Sequence, residues 1–455
     1  HFYGFGFAGV KQRTIEMRSS VAGVCVLSTL SLGTLSCDPE TLEPAASATF
    51  TVTLENVSTA KSFITSGVFD TPVGATAAGA AGPGGSFSFT FHAGKGSYLS
   101  FATMFVQSND LFYAVGEGGI PLYDTNGDPI SGDMTGDVDL WDAGTEVNEA
   151  PFVGANQPPR QGGADTGEEE NGVVQLVDDG FTYPADEEVI QLMITPGDNN
   201  SFTVTLNNVS TGDNETPLAP GVFVIHGANQ TPLYKAGIAD TGLGLEGLAE
   251  DGAVAGLGDN LAADAGYTSP FAPGIYAVHT EGSMPLYSAN SPDLGEGLEA
   301  VAEDGSPDAL NTALSSKMSV SASGIFNMPV GASAAAPIGP GESYSFFFEA
   351  EEGSALSLAS MLIQTNDLFY GFGEGGLSLF ANGIPVSGDL TSSISLWDAG
   401  TEVNEFPGAG DNQAPRQSGA NTGPDEGGNV EIVNDGFTYP DVADFIRVTI
   451  TSESN

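Results

Sequence analysis

Positive charge is what this chain has least of: 10 Lys and Arg stand against 59 Asp and Glu in 455 residues, a formal net charge of −49. That balance excludes nucleic acid and anionic membrane surfaces as partners, because both are held by clusters of Lys and Arg that displace counterions. Cysteine is almost absent as well. Cys25 lies inside an N-terminal apolar run and Cys37 just after it, so no internal disulfide is expected once that run is removed. The run itself, Val21 to Leu35, is shorter than the roughly 20 residues a membrane-spanning helix needs. The whole chain is 40% hydrophobic, with 27 Phe and 62 Gly. Such a chain can bury a core and is too apolar for a disordered acidic tail. Its length suggests roughly two or three domains.

The first residues do not resemble the start of a domain, and Met17 is the better start. Met17-Arg18 forms a short basic stretch, Val21 to Leu35 an apolar segment of signal-peptide length, and Thr34 to Cys37 a small-residue cleavage site. Residues 1–36 therefore read as upstream sequence and export signal, and the protein as secreted, periplasmic or displayed on a cell surface. Cys37 has the place of a lipid-anchored cysteine, although Thr34 and Leu35 depart from the usual lipoprotein box; simple secretion is the other reading. Most of the excess carboxylate is surface charge, since no plausible number of bound cations uses it all.

Internal repetition sets the architecture. QSNDLFYAVGEGG from Gln107 returns as QTNDLFYGFGEGG from Gln364, LWDAGTEVNE from Leu140 returns from Leu396, and DGFTYP from Asp179 returns from Asp435. NQPPRQGGADTG from Asn156 returns as NQAPRQSGANTG from Asn412, and the opening FTVTLENVST at Phe50 returns as FTVTLNNVST at Phe202. Two copies of one domain follow, over about 49–195 and 201–451. A second repeat of 53 residues, PLAPGVFVIH…GLEGLAEDG and PFAPGIYAVH…GLEAVAEDG, occurs twice in the second copy, at about 217–268 and 270–321, and not in the first. The first of these units is expected to pack on the first copy's core, restoring one unit per domain.

The runs FTVTL, SFSFTF at Ser86 and SYSFFF at Ser343 alternate with period two, and Gly, Asn and Pro clusters separate them. Short strands at this spacing, without intervening long helices, predict an all-β fold of antiparallel sandwiches. Only the 53-residue units, around Leu243 to Leu261 and Leu294 to Lys317, look partly helical.

Asp142 and Glu146 in WDAGTE carry the most suggestive chemistry. Fully extended, they would lie about 13 Å apart, too far to share one cation. The Ala-Gly between them permits a closing turn. Asp398 and Glu402 repeat the arrangement. A hard cation wants six to eight oxygens, so a further acid is expected from another strand end: Asp110/Asp367, Glu117/Glu374, Asp133/Asp389, Glu149/Glu405 or Asp179/Asp435. A purely local role for Asp142, bonding backbone N–H groups, is the competing reading. His226 and His279 are expected to make structural hydrogen bonds, and His92 aligns with Glu349, so the cores share no catalytic histidine. Arg160 and Arg416 are expected to pair with local carboxylates and pin Gly-rich loops, with recognition of an acidic ligand as the competing reading. Gly242 to Gly247 fits GxGxxG but lacks the βαβ context of a dinucleotide site.

The combination of S/T-N-D-L-F-Y with a downstream W-D-A-G-T-E resembles the spondin domain, whose pattern is P-D-W…P-W-D-A-G-T-D. The resemblance covers nearly all of the chain beyond the export segment, once incompletely and once with both inserted units. It implies a C2-like antiparallel β-sandwich with a calcium ion at one end. By resemblance the ligands are Asp110, Asp142 and Glu146 in the first copy, and Asp367, Asp398 and Glu402 in the second. The last ligand is Glu here where the family has Asp. The resemblance further implies a non-enzymatic role in surface or matrix recognition, with calcium and an extracellular protein or glycan as partners. Two other readings compete: a glycan hydrolase using paired carboxylates, and a passive structural component of a cell envelope.

Overall fold

The alternation in FTVTL builds strands with one face inward. In the strand Ser201–Asn208 residues Phe202, Val204, Leu206 and Asn208 are buried, and in Ser47–Asn56 so are Phe50, Val52 and Leu54. A computed structural model describes residues 46–455; the expected export segment and Cys37 lie outside the described residues. The fold is mostly β, in two antiparallel sandwiches.

In the first sandwich, one sheet runs in the order Ser86–His92, Ser201–Asn208, Ile190–Pro196, Gly132–Asp133. The facing sheet runs Phe63–Phe69, Leu218–Gly227, Ser97–Phe105, Leu111–Val115, Val138–Asp142, Gln175–Leu176. Phe87, Phe101, Tyr113, Leu192 and Phe202 fill the space between them. The second sandwich repeats this plan, with Ser343–Glu351, Ser47–Asn56 and Ile446–Ser454 in the smaller sheet and Phe50, Tyr344, Leu358 and Tyr370 in the core.

Sheet membership does not follow the sequence copies. The opening strand Ser47–Asn56 sits between Ser343–Glu351 and Ile446–Ser454, in register from Ala48↔Ala350 and Ala48↔Ser454. The place it would hold in its own copy is taken by Ser201–Asn208, which pairs with Ser86–His92 and Ile190–Pro196. The two sandwiches thus exchange their first strands, and the segments 49–195 and 201–451 are not two separate sets of strands. The physical reason is loop length. Ile190–Pro196 and Ser201–Asn208 are joined by a tight turn, closed by the Gly197 N–H donating to the Ser201 carbonyl at 2.8 Å. Closing that hairpin costs far less chain entropy than bringing residue 50 back to residue 192, and the two opening strands are nearly identical in sequence.

Each 53-residue unit contributes one central strand and a helix pair. Leu218–Gly227 joins the first sandwich through Ser97–Phe105, and Phe271–Thr280 joins the second through Ser354–Leu362. Helices Leu245–Asp251 and Val254–Ala263 cover the outer face of the first long sheet, packing Leu245, Leu248 and Leu257 on Phe112, Trp141 and Val222. Leu298–Asp304 and Asp308–Leu314 do the same on the second. Among the described residues no helix is long and apolar enough to cross a membrane.

Candidate metal centres

Strand register creates the site. Leu111 pairs with Asp142 across neighbouring strands, so Asp110 and Asp142 meet at one end of the first long sheet; Leu368 pairs with Asp398 and brings Asp367 to the same place in the second. The chain then turns sharply. Gly144 has φ +70, and a Cβ there would lie 2.6 Å from the Val173 nitrogen, so only glycine fits. Gly400 repeats this against Asn429.

Asp110 is fully buried. Its Oδ2 accepts the N–H groups of Thr145 at 2.7 Å and Glu146 at 3.0 Å, which holds the turn. Its Oδ1, equally buried, has no hydrogen-bond partner, and Asp367 shows the same division between its two oxygens. Asp142 accepts the Gly144 N–H at 2.7 Å and the Asn148 amide at 2.9 Å; Asp398 accepts Gly400 and Asn404, both at 2.7 Å. A third carboxylate completes each group: oxygens of Asp110, Asp142 and Glu170, and of Asp367, Asp398 and Glu426, all lie within 4.8 Å of one another. Glu170 and Glu426 are held by backbone bonds, their N–H groups donating to Thr145 and Thr401 carbonyls.

Three carboxylates at this range, partly out of water, repel one another. Burial, reinforced by Asp142, pushes the Asp110 carboxyl up to about 7, and burial lifts Asp142 to about 6. The second pair titrates in the same range, Asp367 at about 6 and Asp398 at about 7, again through burial first. Without a cation each Asp pair tends to hold a proton near neutral pH, which a bound cation would displace. A buried carboxylate with one unpartnered oxygen, clustered with two further carboxylates, suits a hard cation with oxygen ligands. The buried acidic clusters could therefore hold a metal ion.

Glu146 stands outside this group. Its own N–H donates to Asp110, while its side chain accepts the Asn109 amide at 3.1 Å and the Gly167 N–H at 2.6 Å. There its carboxylate meets Asp165 and Glu250. Glu250 comes from the helix of the inserted unit and is reached through the Thr145 hydroxyl, 2.7 Å from Glu250 Oε1 and 3.2 Å from Asp110 Oδ2. Glu402 lies likewise near Glu303, joined through Thr401, but Asp165 has its counterpart in Asn421, which donates to Glu299 instead. Burial raises Glu250 to about 8 and Glu303 to about 7.

The remaining sequence candidates serve local structure. Glu117 accepts the Ala236 N–H, Asp133 the Thr135 N–H, Glu149 the Asn156 N–H, and Asp179 the Phe181 N–H and Tyr183 hydroxyl. His226 and His279 are buried and lie 2.9 Å from Ser100 and Ser357 hydroxyls. Arg160 and Arg416 do pin their loops, but through neutral acceptors: Gly154 and Gly410 carbonyls, both at 2.7 Å, with Gln107 and Gln157, or Gln364 and Gln413. Sequence reasoning missed Glu170 and Glu426. The available signal was their shared alignment: each precedes by two residues the glycine, Gly172 or Gly428, that packs against the WDAGTE turn. Neither a protein-family model nor a curated protein sequence matches the chain.

Proposed function

We propose that the protein is an exported, non-enzymatic pair of spondin-like sandwiches, each binding one calcium ion at the end of its long sheet and acting in cell-surface or matrix recognition. The observation that carries the metal reading is the buried, unpartnered Oδ1 of Asp110, repeated at Asp367, on a carboxylate that has an oxygen within 4.8 Å of two other carboxylates. Asp110, Asp142 and Glu170, with Asp367, Asp398 and Glu426, would supply carboxylate oxygens, and calcium tolerates the flexible shell that an exposed Glu provides. A fixed cation there would tie together the strand ends, the turn and the Glu170 segment, which favours a structural ion over a reactive one. The full burial of Asp110 and Asp367 also speaks against a general acid that must reach a glycan. The recognition role rests on the resemblance of the WDAGTE and SNDLFY motifs to the spondin pattern.

Thermal unfolding with millimolar calcium and with excess chelator tests the metal reading, because a ligand that binds only the folded state raises the melting temperature. Calorimetric titration should count two ions, falling to one in Asp142→Asn or Asp398→Asn. An unchanged melting temperature and no bound calcium would remove the reading.

A further inference from the structure

A cleft of about 730 Å³ opens where the two sandwiches meet. One wall is the edge strand Phe63–Phe69 with Thr90 to His92; the other is the loop around Phe406, Arg416 and the Thr438 to Pro440 segment. Its charge is opposite to that of the molecule. Among the described residues three cations, Lys61, Lys95 and Arg416, line this one cleft, and no Asp or Glu does.

The cations there are poorly neutralised. Arg416 gives three N–H groups to the Gly410 carbonyl and to the Gln364 and Gln413 side-chain oxygens; among the described residues no carboxylate lies within salt-bridge range of it, and Asp411 and Glu405 act on it only from farther off. A guanidinium carries five N–H groups, so two are left. Lys61 donates to the Ala263 carbonyl at 2.8 Å, and only Lys95 has an acid, Asp411, at 2.9 Å in a half-exposed pair. Loop pinning does not explain the placement, because Arg160 makes the same three kinds of bond in the first sandwich while standing exposed and lining no part of this cleft. Flat rings accompany the charge: His92 stacks on Phe406 with centroids 3.7 Å apart and 4° between planes, and the Tyr267 and Tyr439 rings share the lining with several hydroxyls.

We propose that this cleft binds an acidic saccharide, a sugar unit bearing a carboxylate or sulfate. The anionic group would take the unused N–H pair of Arg416, whose planar fork matches either oxyanion, with Lys61 and Lys95 supplying further charge. The rings and hydroxyls would take the sugar faces and hydroxyl groups. The volume falls within the roughly 300–1,000 Å³ of small-molecule sites. None of the clustered metal-site acids lines the cleft, so the proposal stands independently of the calcium reading.

The test is calorimetric titration of the whole chain with a glucuronate-containing tetrasaccharide, a sulfated tetrasaccharide and a neutral tetrasaccharide, each in chelator and in millimolar calcium. At least one acidic sugar should bind at least about tenfold more tightly than the neutral one, in chelator as well as in calcium; which acidic sugar binds better distinguishes carboxylate from sulfate. Arg416→Gln should cost tenfold or more and Lys61→Gln severalfold, while Arg160→Gln should leave the affinity unchanged. If Arg416→Gln does not fold, Lys61→Gln and competition by inorganic sulfate carry the test. Equal binding of acidic and neutral sugars, no binding of either acidic sugar, or an Arg160→Gln loss as large as that of Arg416→Gln or Lys61→Gln would overturn the proposal.

Discussion

At the scale of single residues, the two acidic groups predict opposite behaviour with and without cation. The Asp110, Asp142, Asp367 and Asp398 carboxyls have folded pKa values raised above the ordinary range, so the folded state binds protons more tightly than the unfolded one. Stability without metal should therefore be greatest below about pH 4 to 5 as far as these groups are concerned, and should fall as pH rises through 6 and 7. Melting curves in chelator from pH 5 to pH 8 should show this decline, and calcium should add more degrees at pH 8 than at pH 5. Asp142→Asn with Asp398→Asn should flatten the decline. The variant is accommodated because the Asn148 and Asn404 side-chain oxygens have no hydrogen-bond partner; rotating either amide lets it accept from the new Asn. Glu170→Gln should weaken calcium binding by about tenfold, since it removes one of three charged ligands, whereas Glu146→Gln should change it by less than about threefold. The reverse ranking would assign Glu146 to the ion after all. The motif made Asp110 and Asp142 legible in the sequence. The place of the Glu146 carboxylate was not legible, because spacing along a turn fixes where the backbone goes and says nothing of which side the carboxylate takes.

At the scale of elements, the strand exchange makes distant effects from local changes. Phe50 is fully buried against Phe348 and Phe380 of the second sandwich. Phe50→Ala should cost about 3–5 kcal/mol, and hydrogen exchange should quicken in Ser343–Glu351 and Ile446–Ser454 while Ser86–His92 stays protected. Faster exchange in Ser86–His92 instead would mean that the opening strand stays with its own copy. Period-two patterning revealed the strands themselves, and the repeats revealed that there are two equivalent sets. Partner choice was not legible, since FTVTLENVST and FTVTLNNVST offer the same side chains to either slot; the short turn after Pro196 settles it. The helical character of the inserted units could be read from their Ala, Leu and Glu content. Their role as a lid on the outer sheet face, with Glu250 and Glu303 brought to the acidic end, depends on packing that composition does not encode.

At the scale of the whole molecule, the two sandwiches are held by more than surface contact. Gly94 lies so close to the second sandwich that a Cβ would be 2.8 Å from the Ala409 carbonyl oxygen, and the Asn200 amide donates to that same oxygen at 2.8 Å. Each half also owns a strand of the other's sheet. Cleaving the turn at 197–200 should therefore leave two fragments that co-elute in gel filtration and part only in denaturant; separation in native buffer would contradict the exchange. The net charge of −49 acts at this scale too. Its mutual repulsion is screened at high ionic strength, so the melting temperature in chelator should rise with added salt even in the Asp142→Asn, Asp398→Asn double variant.

The pairing of Ser47–Asn56 with Ile446–Ser454 also determines how the molecule answers a pull. Ala48 lies opposite Ser454, and the Asn455 N–H donates to the Ser47 carbonyl at 3.1 Å, so the two strands begin and end side by side. Tension applied through residues 46 and 455 would load the cross-strand hydrogen bonds one at a time, peeling the pair from that end, since these bonds lie perpendicular to the strands. A molecule tethered at one end only, and gripped elsewhere by its partner, never experiences that geometry.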